Sequence, residues 1–216
     1  KITSILPMPK EVKKNPLSLL MVTKLGVAKK VKAESFHDVR RSGLISIRLD
    51  KGDELISASF VEKGDEVIVV TSAGQSIRFK ESDVREMGRS AGGVRVIRVG
   101  GKSEVIGADI IKKSFANPEI LVVAKNGYGK KTDLKEYKTQ KRGGSGIKTA
   151  KVTSKTGDII ASKVVSGAEA EIVAISKKSQ VIRVDLSEIP SLGRQTQGVR
   201  IMKLREGDSI ASLVCL

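Results

Sequence analysis

Residues 66–111 read EVIVVTSAGQSIRFKESDVREMGRSAGGVRVIRVGGKSEVIGADII. The apolar residues of this stretch do not recur every three or four positions, as they would on one face of a helix. They form short runs rich in β-branched residues at positions 67–71, 76–79, 94–99 and 104–110. Turns that contain glycine, or a longer basic loop, separate the runs, so the stretch predicts four β-strands.

The same pattern recurs along the chain. Four units align with one another, at residues 19–61, 66–111, 119–165 and 171–216. Each has a basic loop that ends in a glycine, and these glycines, Gly43, Gly93, Gly146 and Gly198, are separated by 50, 53 and 52 residues. Such a period is typical of a propeller blade, whereas solenoid repeats are usually shorter or helical, and a β-sandwich has no internal period of this kind. The sequence therefore predicts an all-β, propeller-like domain.

The N-terminal residues resemble part of a further unit. KITSIL at residues 1–6 is similar to ELISASF at residues 54–60, which is the fourth strand of its unit. We expect residues 1–9 to form the last strand of a preceding blade. The chain begins at Lys1 without an initiator methionine, so we expect it to be a piece of a longer protein.

The composition favours a polyanionic partner. Lys and Arg total 40 against 24 Asp and Glu, which gives a net charge of +16. No apolar run approaches the roughly 18 residues of a membrane span, and no segment pairs a long apolar face with a basic one, so no membrane partner is expected. The single cysteine, Cys215, excludes an internal disulfide and fits a reducing compartment. The single histidine, His37, leaves no histidine-based metal site or catalytic triad.

The cations are concentrated between the second and third strands of each unit. Residues 137–151 contain five basic residues and no acidic one. Because the loops recur at the same place in every unit, folding would set their charges at equivalent points around a disc. A belt of this kind predicts contact with nucleic acid. The candidate residues are Arg40, Arg41, Arg85, Arg89, Arg95, Lys138, Lys141, Arg142, Lys148, Arg194 and Arg200.

One loop, QKRGGSG at residues 140–146, has the composition of a phosphate-binding segment. Its glycines would let main-chain N–H groups approach a phosphate, while its two cations supply charge. The further candidates in this loop are Gln140, Gly143, Gly144 and Gly146. Lys130 and Lys131 are also candidates, although their hairpin, GYGKKT, lacks the GxxxxGK[ST] spacing of a P-loop.

The aromatic and helical content indicates the kind of nucleic acid. Aromatic residues make up 3% of the chain, whereas proteins that bind single strands need aromatic stacking platforms. No segment predicts a recognition helix for the major groove. We therefore expect duplex DNA that is held by its backbone and bent around a cationic rim.

Three motifs resemble a known family. IRFKESDVREMGRSAGGVR at residues 77–95, GYGKKTDLKEYKTQKRGGSGIKT at 127–149 and GRQTQGVRIMKL at 193–204 are similar to the C-terminal domain of the bacterial DNA gyrase A subunit, of the type IIA topoisomerases. The resemblance implies a β-pinwheel, a propeller relative whose four-stranded blades of roughly 50 residues exchange strands with their neighbours. It makes this chain a fragment of a six-bladed disc. It also implies a basic perimeter that wraps duplex DNA and presents it to the cleavage core for ATP-dependent negative supercoiling.

The resemblance also limits what is expected of this chain. QKRGGSG is similar to the family's QRRGGKG-like box, but it lies in a later blade and has Ser145 in place of a lysine. The cleavage tyrosine and the ATP site belong to other parts of the enzyme. No catalytic residue and no cofactor are therefore expected here, and ATP and Mg²⁺ are implied only for the holoenzyme. The implied partners are duplex DNA, the rest of the gyrase A subunit, and the gyrase B subunit in an A2B2 assembly, in the bacterial cytoplasm at the nucleoid.

Other interpretations stay open. The topoisomerase IV A subunit has a C-terminal domain with the same kind of blades, which would serve DNA substrate selection. A propeller that scaffolds proteins would use apolar or aromatic residues on its blade faces rather than a charged rim. An enzyme in its own right has little support, because no nucleophile, acid pair or metal-ligand set stands out.

Overall fold

The computed structural model describes residues 5–7, 17–37, 39 and 41–216. In chain order these form β1 (Ser18–Thr23), β2 (Val27–Lys32), β3 (Leu55–Val61), β4 (Glu66–Thr71), β5 (Gln75–Lys80), β6 (Val94–Arg95), β7 (Val105–Ile111), β8 (Glu119–Ala124), β9 (Tyr128–Asp133), β10 (Ile147–Lys148), β11 (Ile159–Val165), β12 (Glu171–Ser176), β13 (Val181–Asp185), β14 (Val199–Arg200) and β15 (Ile210–Cys215). Four short 3-10 helices, Ala33–Phe36, Glu81–Asp83, Leu134–Glu136 and Leu186–Glu188, each follow the second strand of a repeat. Of the strand expected in residues 1–9, only residues 5–7 are described, and they form no strand.

The strands form four antiparallel sheets that exchange strands. Their orders are β3-β1-β2-β6, β7-β4-β5-β10, β11-β8-β9-β14 and, within the described residues, a three-stranded β15-β12-β13. Each short strand joins the sheet of the preceding repeat: Val94 of the second repeat, for example, pairs with Ala28 of the first. The predicted all-β pinwheel fold is thereby confirmed. The simpler expectation that the four strands of one unit make one blade is corrected, because the third strand of the unit leaves its own sheet.

The central strands are apolar on both faces because neighbouring sheets pack against them. In β4, Val67 lies in the core between the first and second sheets, and Ile68 lies in the core between the second and third. In β8, Ile120 faces the second sheet and Leu121 faces the fourth. Alternate residues of a strand point to opposite faces. A strand that is buried on both sides therefore reads as a continuous apolar run, such as EVIVVT or EILVVA.

A glycine stands where an exchanged segment crosses a turn. Gly127, between β8 and β9, has a φ of +84°, which residues with a side chain rarely adopt. Its carbonyl accepts hydrogen bonds from the N–H groups of Ile201 and Met202, at 2.9 and 3.2 Å. A Cβ at this position would overlap the carbonyl oxygen of Met202. The exchanged segment thus lies directly on the turn, and glycine leaves room for it.

The exchanged strands mark the outer edge of the sheets. At the opposite edge, β3, β7, β11 and β15 pack against one another in series. The segments that lead to β6, β10 and β14 therefore run over the outer edge, from one sheet to the preceding one. The basic loops of the sequence lie in these segments.

Candidate nucleic-acid interface

Three basic loops cross the outer edge between adjacent sheets. We name residues 84–93, 137–146 and 189–198 loops A, B and C. Each begins after a 3-10 helix and ends at the glycine that precedes an exchanged strand. In the corresponding loop of the first repeat, Arg40 lies outside the described residues and Arg41 is exposed. Strand exchange sets loops A, B and C at equivalent positions along one edge.

Most of the candidate cations on and beside these loops are exposed. Within the described part of the chain, none of the exposed ones forms an ion pair with a carboxylate. Their charge is therefore open to an external anion. They are Arg85, Arg89, Arg95, Lys138, Lys141, Arg142, Lys148 and Arg200.

Loop B is fastened to the preceding repeat through its backbone. The N–H of Gln140 donates to the carbonyl of Arg78, and the N–H of Gly143 donates to the carbonyl of Val96, each at 2.7 Å. The expectation that the Gly143 N–H approaches a phosphate is therefore wrong, because this donor is already used. Phosphate contact by Gly144 stays a prediction.

Gly146 and the Gln140 side chain also serve the fold. Gly146 has a φ of +73°, and a Cβ there would overlap the carbonyl oxygen of Ser76. This glycine is needed where the chain crosses to the preceding sheet. The side-chain amide nitrogen of Gln140 is buried without a hydrogen-bond partner among the described residues. That nitrogen does not reach the surface.

Arg142 is exposed, but the protein already uses part of its guanidinium. Its Nε donates to the carbonyl of Asp83 at 2.8 Å, and its Nη1 donates to the carbonyl of Arg95 at 3.1 Å. These bonds hold the side chain across the boundary between two repeats. A guanidinium has five N–H donors, so Arg142 retains donors for an anion.

The two candidate arginines of the last repeat have different surroundings. Arg194 is partly buried: its Nη1 donates to the carbonyl of Lys148 at 3.0 Å, and its guanidinium lies 5.8 Å from the ring centroid of Tyr137. Arg200 is exposed, and its Nη2 donates to the hydroxyl of Tyr128 at 3.1 Å. This hydrogen bond lowers the pKa of Tyr128 below its ordinary value. Tyr128 thus orients Arg200 on the exchanged strand β14.

Lys130 and Lys131 do not lie on the exposed surface, so their selection as contact residues is wrong. Lys130 is 1% exposed, and its Nζ donates to the carbonyls of Gly193 and Arg194, the latter at 2.8 Å. Burial lowers the pKa of Lys130 to about 8. Lys131 forms an ion pair with Glu119 at 3.3 Å, and its side chain is 16% exposed.

Two other lysines were missed by the sequence reasoning. The ammonium group of Lys155 lies 5.3 Å from the ring centroid of Tyr128, where Arg200 also packs. Lys29 is buried, and its Nζ donates to the carbonyl of Arg89 in loop A. The sequence repeat could have indicated Lys29, because Lys29 aligns with Lys130. No feature of the repeat indicates Lys155.

Comparison with known proteins identifies the family. The profile of a family described as DNA gyrase C-terminal domain, beta-propeller, matches residues 17–62, 65–112, 118–166 and 170–216. The chain belongs to this family. Each matched segment contains the strands of one repeat, so the gyrase family pattern coincides with the structural repeat.

Gyrase A subunits are similar to this chain over most of its length. The DNA gyrase A subunit of Staphylococcus epidermidis (strain ATCC 12228) is 36% identical over 195 residues, which are 90% of this chain and 22% of that subunit. The gyrase A subunit of Staphylococcus aureus (strain MRSA252) is 34% identical over 212 residues, which are 98% of this chain and 24% of that subunit. The chain thus spans less than a quarter of the length of these relatives.

Solved gyrase and topoisomerase IV domains share the fold. A structure of a DNA gyrase A C-terminal domain has a TM-score of 0.82 at 27% identity, covering 93% of this chain and 66% of that one. The C-terminal domain of a DNA topoisomerase IV has a TM-score of 0.86 at 22% identity, covering 93% of this chain and 62% of that one. The second likeness concerns the fold alone.

Membrane-spanning helices and clustered metal ligands are absent from the described residues. None of their helices is long and apolar enough to cross a membrane, and no group of three or more His, Cys, Asp or Glu among them could hold a metal ion. The gyrase-type outer edge offers exposed positive charge in loops A and B and, beside loop C, at Arg200, whereas Arg194 of loop C pairs with Glu136.

Proposed function

We propose that this chain binds duplex DNA along its outer edge and is the DNA-wrapping part of a bacterial gyrase A subunit. The placement of loops A, B and C carries the proposal, because strand exchange sets three basic loops in a row on one edge. The net charge of +16 and the membership of the gyrase family support it. Proteins that neutralise several phosphates hold DNA largely without regard to its sequence.

Wrapping follows from the geometry of such an edge. Cations from successive loops contact successive phosphates, and each contact releases counterions. A duplex that engages several loops must bend, and bending a site of about 20–30 bp by 40–90° costs roughly 1–6 kcal/mol, which the added phosphate contacts offset. In the proposed enzyme, this domain presents the bent segment to the cleavage core. ATP, Mg²⁺ and the gyrase B subunit belong to other parts of that assembly, which works at the nucleoid in the cytoplasm.

The topoisomerase IV A subunit is the nearest alternative. Its likeness to this chain concerns the fold alone, at 22% identity. The sequence relatives at 34–36% identity are gyrase A subunits. We therefore propose gyrase.

A DNA topology assay tests the proposal. Relaxed plasmid is incubated with the chain at low salt, treated with a nicking-closing topoisomerase and resolved on a two-dimensional gel. We expect trapped positive supercoils that disappear as the salt concentration rises. Lys141→Ala combined with Arg142→Ala should reduce them by about twofold or more, because two adjacent phosphate contacts are lost.

The matched control removes the same charge from elsewhere. Lys112 and Lys113 are exposed in the turn that follows β7, at the inner edge of the second sheet. Lys112→Ala combined with Lys113→Ala should leave the supercoils nearly unchanged. Duplex binding without a change in topology would contradict wrapping, and no duplex binding at all would contradict the DNA function and favour a protein partner.

A further inference from the structure

Two buried lysines lie beneath basic loops of the outer edge. The Nζ of Lys29 donates to the carbonyls of Ser46, at 2.8 Å, and of Arg89 in loop A. The Nζ of Lys130 donates to the carbonyls of Gly193 and Arg194 in loop C. Both lysines come from the second strand of one repeat and reach the loop of the next. Lys29 and Lys130 are 0% and 1% exposed.

The sheet itself does not require a lysine at this position. Lys29 and Lys130 lie opposite Met21 and Val122 in their ladders. The residues at the same place in the second and fourth repeats are apolar: Ile77 lies opposite Val69, and Ile182 lies opposite Ala174. A buried ammonium without a carboxylate partner is costly unless dipoles compensate it. The lysines therefore serve the loops whose carbonyls they bind.

Loop B is fastened without a lysine beneath it. It passes over Ile77, so that a Cβ on Gly144 would lie 3.7 Å from the Ile77 Cδ1. Its own arginine, Arg142, supplies the anchoring hydrogen bonds, to Asp83 and Arg95. Arg194 of loop C donates to the carbonyl of Lys148 in the same way. A lysine therefore holds loops A and C from below, whereas loop B has only the hydrogen bonds of its own residues.

We propose that Lys29 and Lys130 are positioning residues for anion binding. Each fixes the backbone of a phosphate-binding loop through the carbonyl of the loop arginine and adds a buried positive charge to that loop. The proposal rests on the proposed function, because it takes loops A and C to be phosphate-binding. Neither lysine touches the DNA.

The charges around Lys130 set the expected pH dependence. Glu136 faces it from the 3-10 helix, Arg194 faces it from loop C, and the buried Tyr137 lies beside them. The carboxylate of Glu136 also accepts a hydrogen bond from the N–H of Arg194, at 3.1 Å. Burial lowers the pKa of Lys130 to about 8, against an ordinary value of 10.5.

Folding and DNA binding respond to this titration with opposite signs. The folded chain releases the Lys130 proton near pH 8 and the unfolded chain retains it until about 10.5, so the contribution of Lys130 to stability rises between these values. A bound phosphate instead favours the charged ammonium, so DNA affinity falls as the pH rises through 8. If Lys130 had only a structural role, the loss of its proton would not weaken DNA binding over the same pH range in which that loss stabilises the fold.

The test measures affinity for a short duplex of mixed sequence at low salt, at pH 7 and pH 9, by fluorescence anisotropy. Lys130→Met is compared with Lys131→Met, which removes an equal charge from the neighbouring position. Wild type and Lys131→Met should lose about threefold in affinity between the two pH values, as expected for one partly screened charge. Lys130→Met should bind about threefold more weakly than Lys131→Met at pH 7 and lose little further. Other groups that titrate in this range are kept in both variants.

Amide hydrogen exchange provides a second readout. In Lys130→Met, the amides of residues 193–198 should exchange faster than in Lys131→Met, while those of loop B are unchanged. Equal affinities, pH profiles and exchange in the two variants would overturn the inference; a wild type that fails to bind the duplex overturns the proposed function itself. If Lys130→Met does not fold, Lys29→Met is used in its place, with amide hydrogen exchange measured in loop A. A wild-type DNA affinity that does not change between pH 7 and pH 9 would contradict the inference without any variant.

Discussion

The third and fourth sheets are built from similar sequences, yet only the third is completed by an exchanged strand among the described residues. In the third sheet, Gly129 of β9, which is equivalent to Val181, is buried beneath β14. In the fourth, Val181 at the start of β13 is 59% exposed. The apolar pattern of a repeat is therefore not enough to bury its own second strand. Part of the burial of each sheet comes from the repeat that follows it.

The turns of the two sheets differ in the same way. Gly127 in the third sheet lies under the crossing chain. Its counterpart in the fourth sheet is Ser179, which has a φ of +63°. A serine bears only the conformational strain of this φ where no described segment crosses the turn. The glycine is thus required by the crossing as well as by the turn.

Single substitutions at these two turns should give the largest difference in stability. Gly127→Ser should destabilise the chain by about 3 kcal/mol, because strain at positive φ adds to an overlap with the carbonyl of Met202. Ser179→Gly should change the stability by less than about 1 kcal/mol. Urea unfolding of both variants measures the difference, and equal effects at the two turns would show that the crossing chain does not matter.

The sequence predicts the parts of this fold that repeat, and it is less informative about contacts between repeats. Short β-branched runs and the regular glycines suffice for the strands and the propeller-like architecture. The apolar pattern around Val94 is the same whichever sheet that strand joins. From this pattern alone the strand was assigned to the sheet of its own repeat, whereas it joins the sheet of the preceding repeat. Lys130 and Lys141 look alike in sequence, but the burial of Lys130 depends on carbonyls 63 and 64 residues away. The local sequence around Lys130 gives no sign of contacts with residues so far along the chain.

Opening of the fourth sheet should come before opening of the third. Cys215 lies opposite Ile172 in the fourth sheet, and Val164 lies opposite Ile120 in the third. Burial raises the pKa of Cys215 to about 11, so alkylation at pH 8 proceeds mainly through opened forms in which the thiol ionises normally. Cys215 should react about tenfold faster than a cysteine introduced by Val164→Cys in a Cys215→Ser background.

The pH profile provides the control for this experiment. If the native thiol reacts directly, the rate should continue to rise towards pH 11, because its folded pKa is raised. If the opened form reacts, the rate should level near the ordinary thiol pKa of about 8.5. Equal labelling rates at the two positions, with a rate that levels near pH 8.5, would mean that both sheets open together. The lack of an exchanged strand among the described residues of the fourth sheet would then have no local consequence.

The smallest difference in stability is expected between two equivalent ion pairs, one in each sheet. Lys131 pairs with Glu119 in the third sheet, and Arg183 pairs with Glu171 in the fourth; the two cationic side chains are 16% and 70% exposed. Loop C covers the first pair, since the N–H of Lys131 donates to the carbonyl of Pro190 at 3.0 Å. The two carboxylates are similarly exposed, at 26% and 27%, and only the cations differ. Lys131→Met should cost about 1–2 kcal/mol, because loop C keeps water from the Lys131 ammonium and so strengthens the attraction that is lost. Arg183→Met should cost less than about 0.5 kcal/mol, as for an exposed pair that water and salt screen. Thermal unfolding at low and high salt separates the two, and a larger salt effect on the third-sheet pair would show that loop C does not shield it.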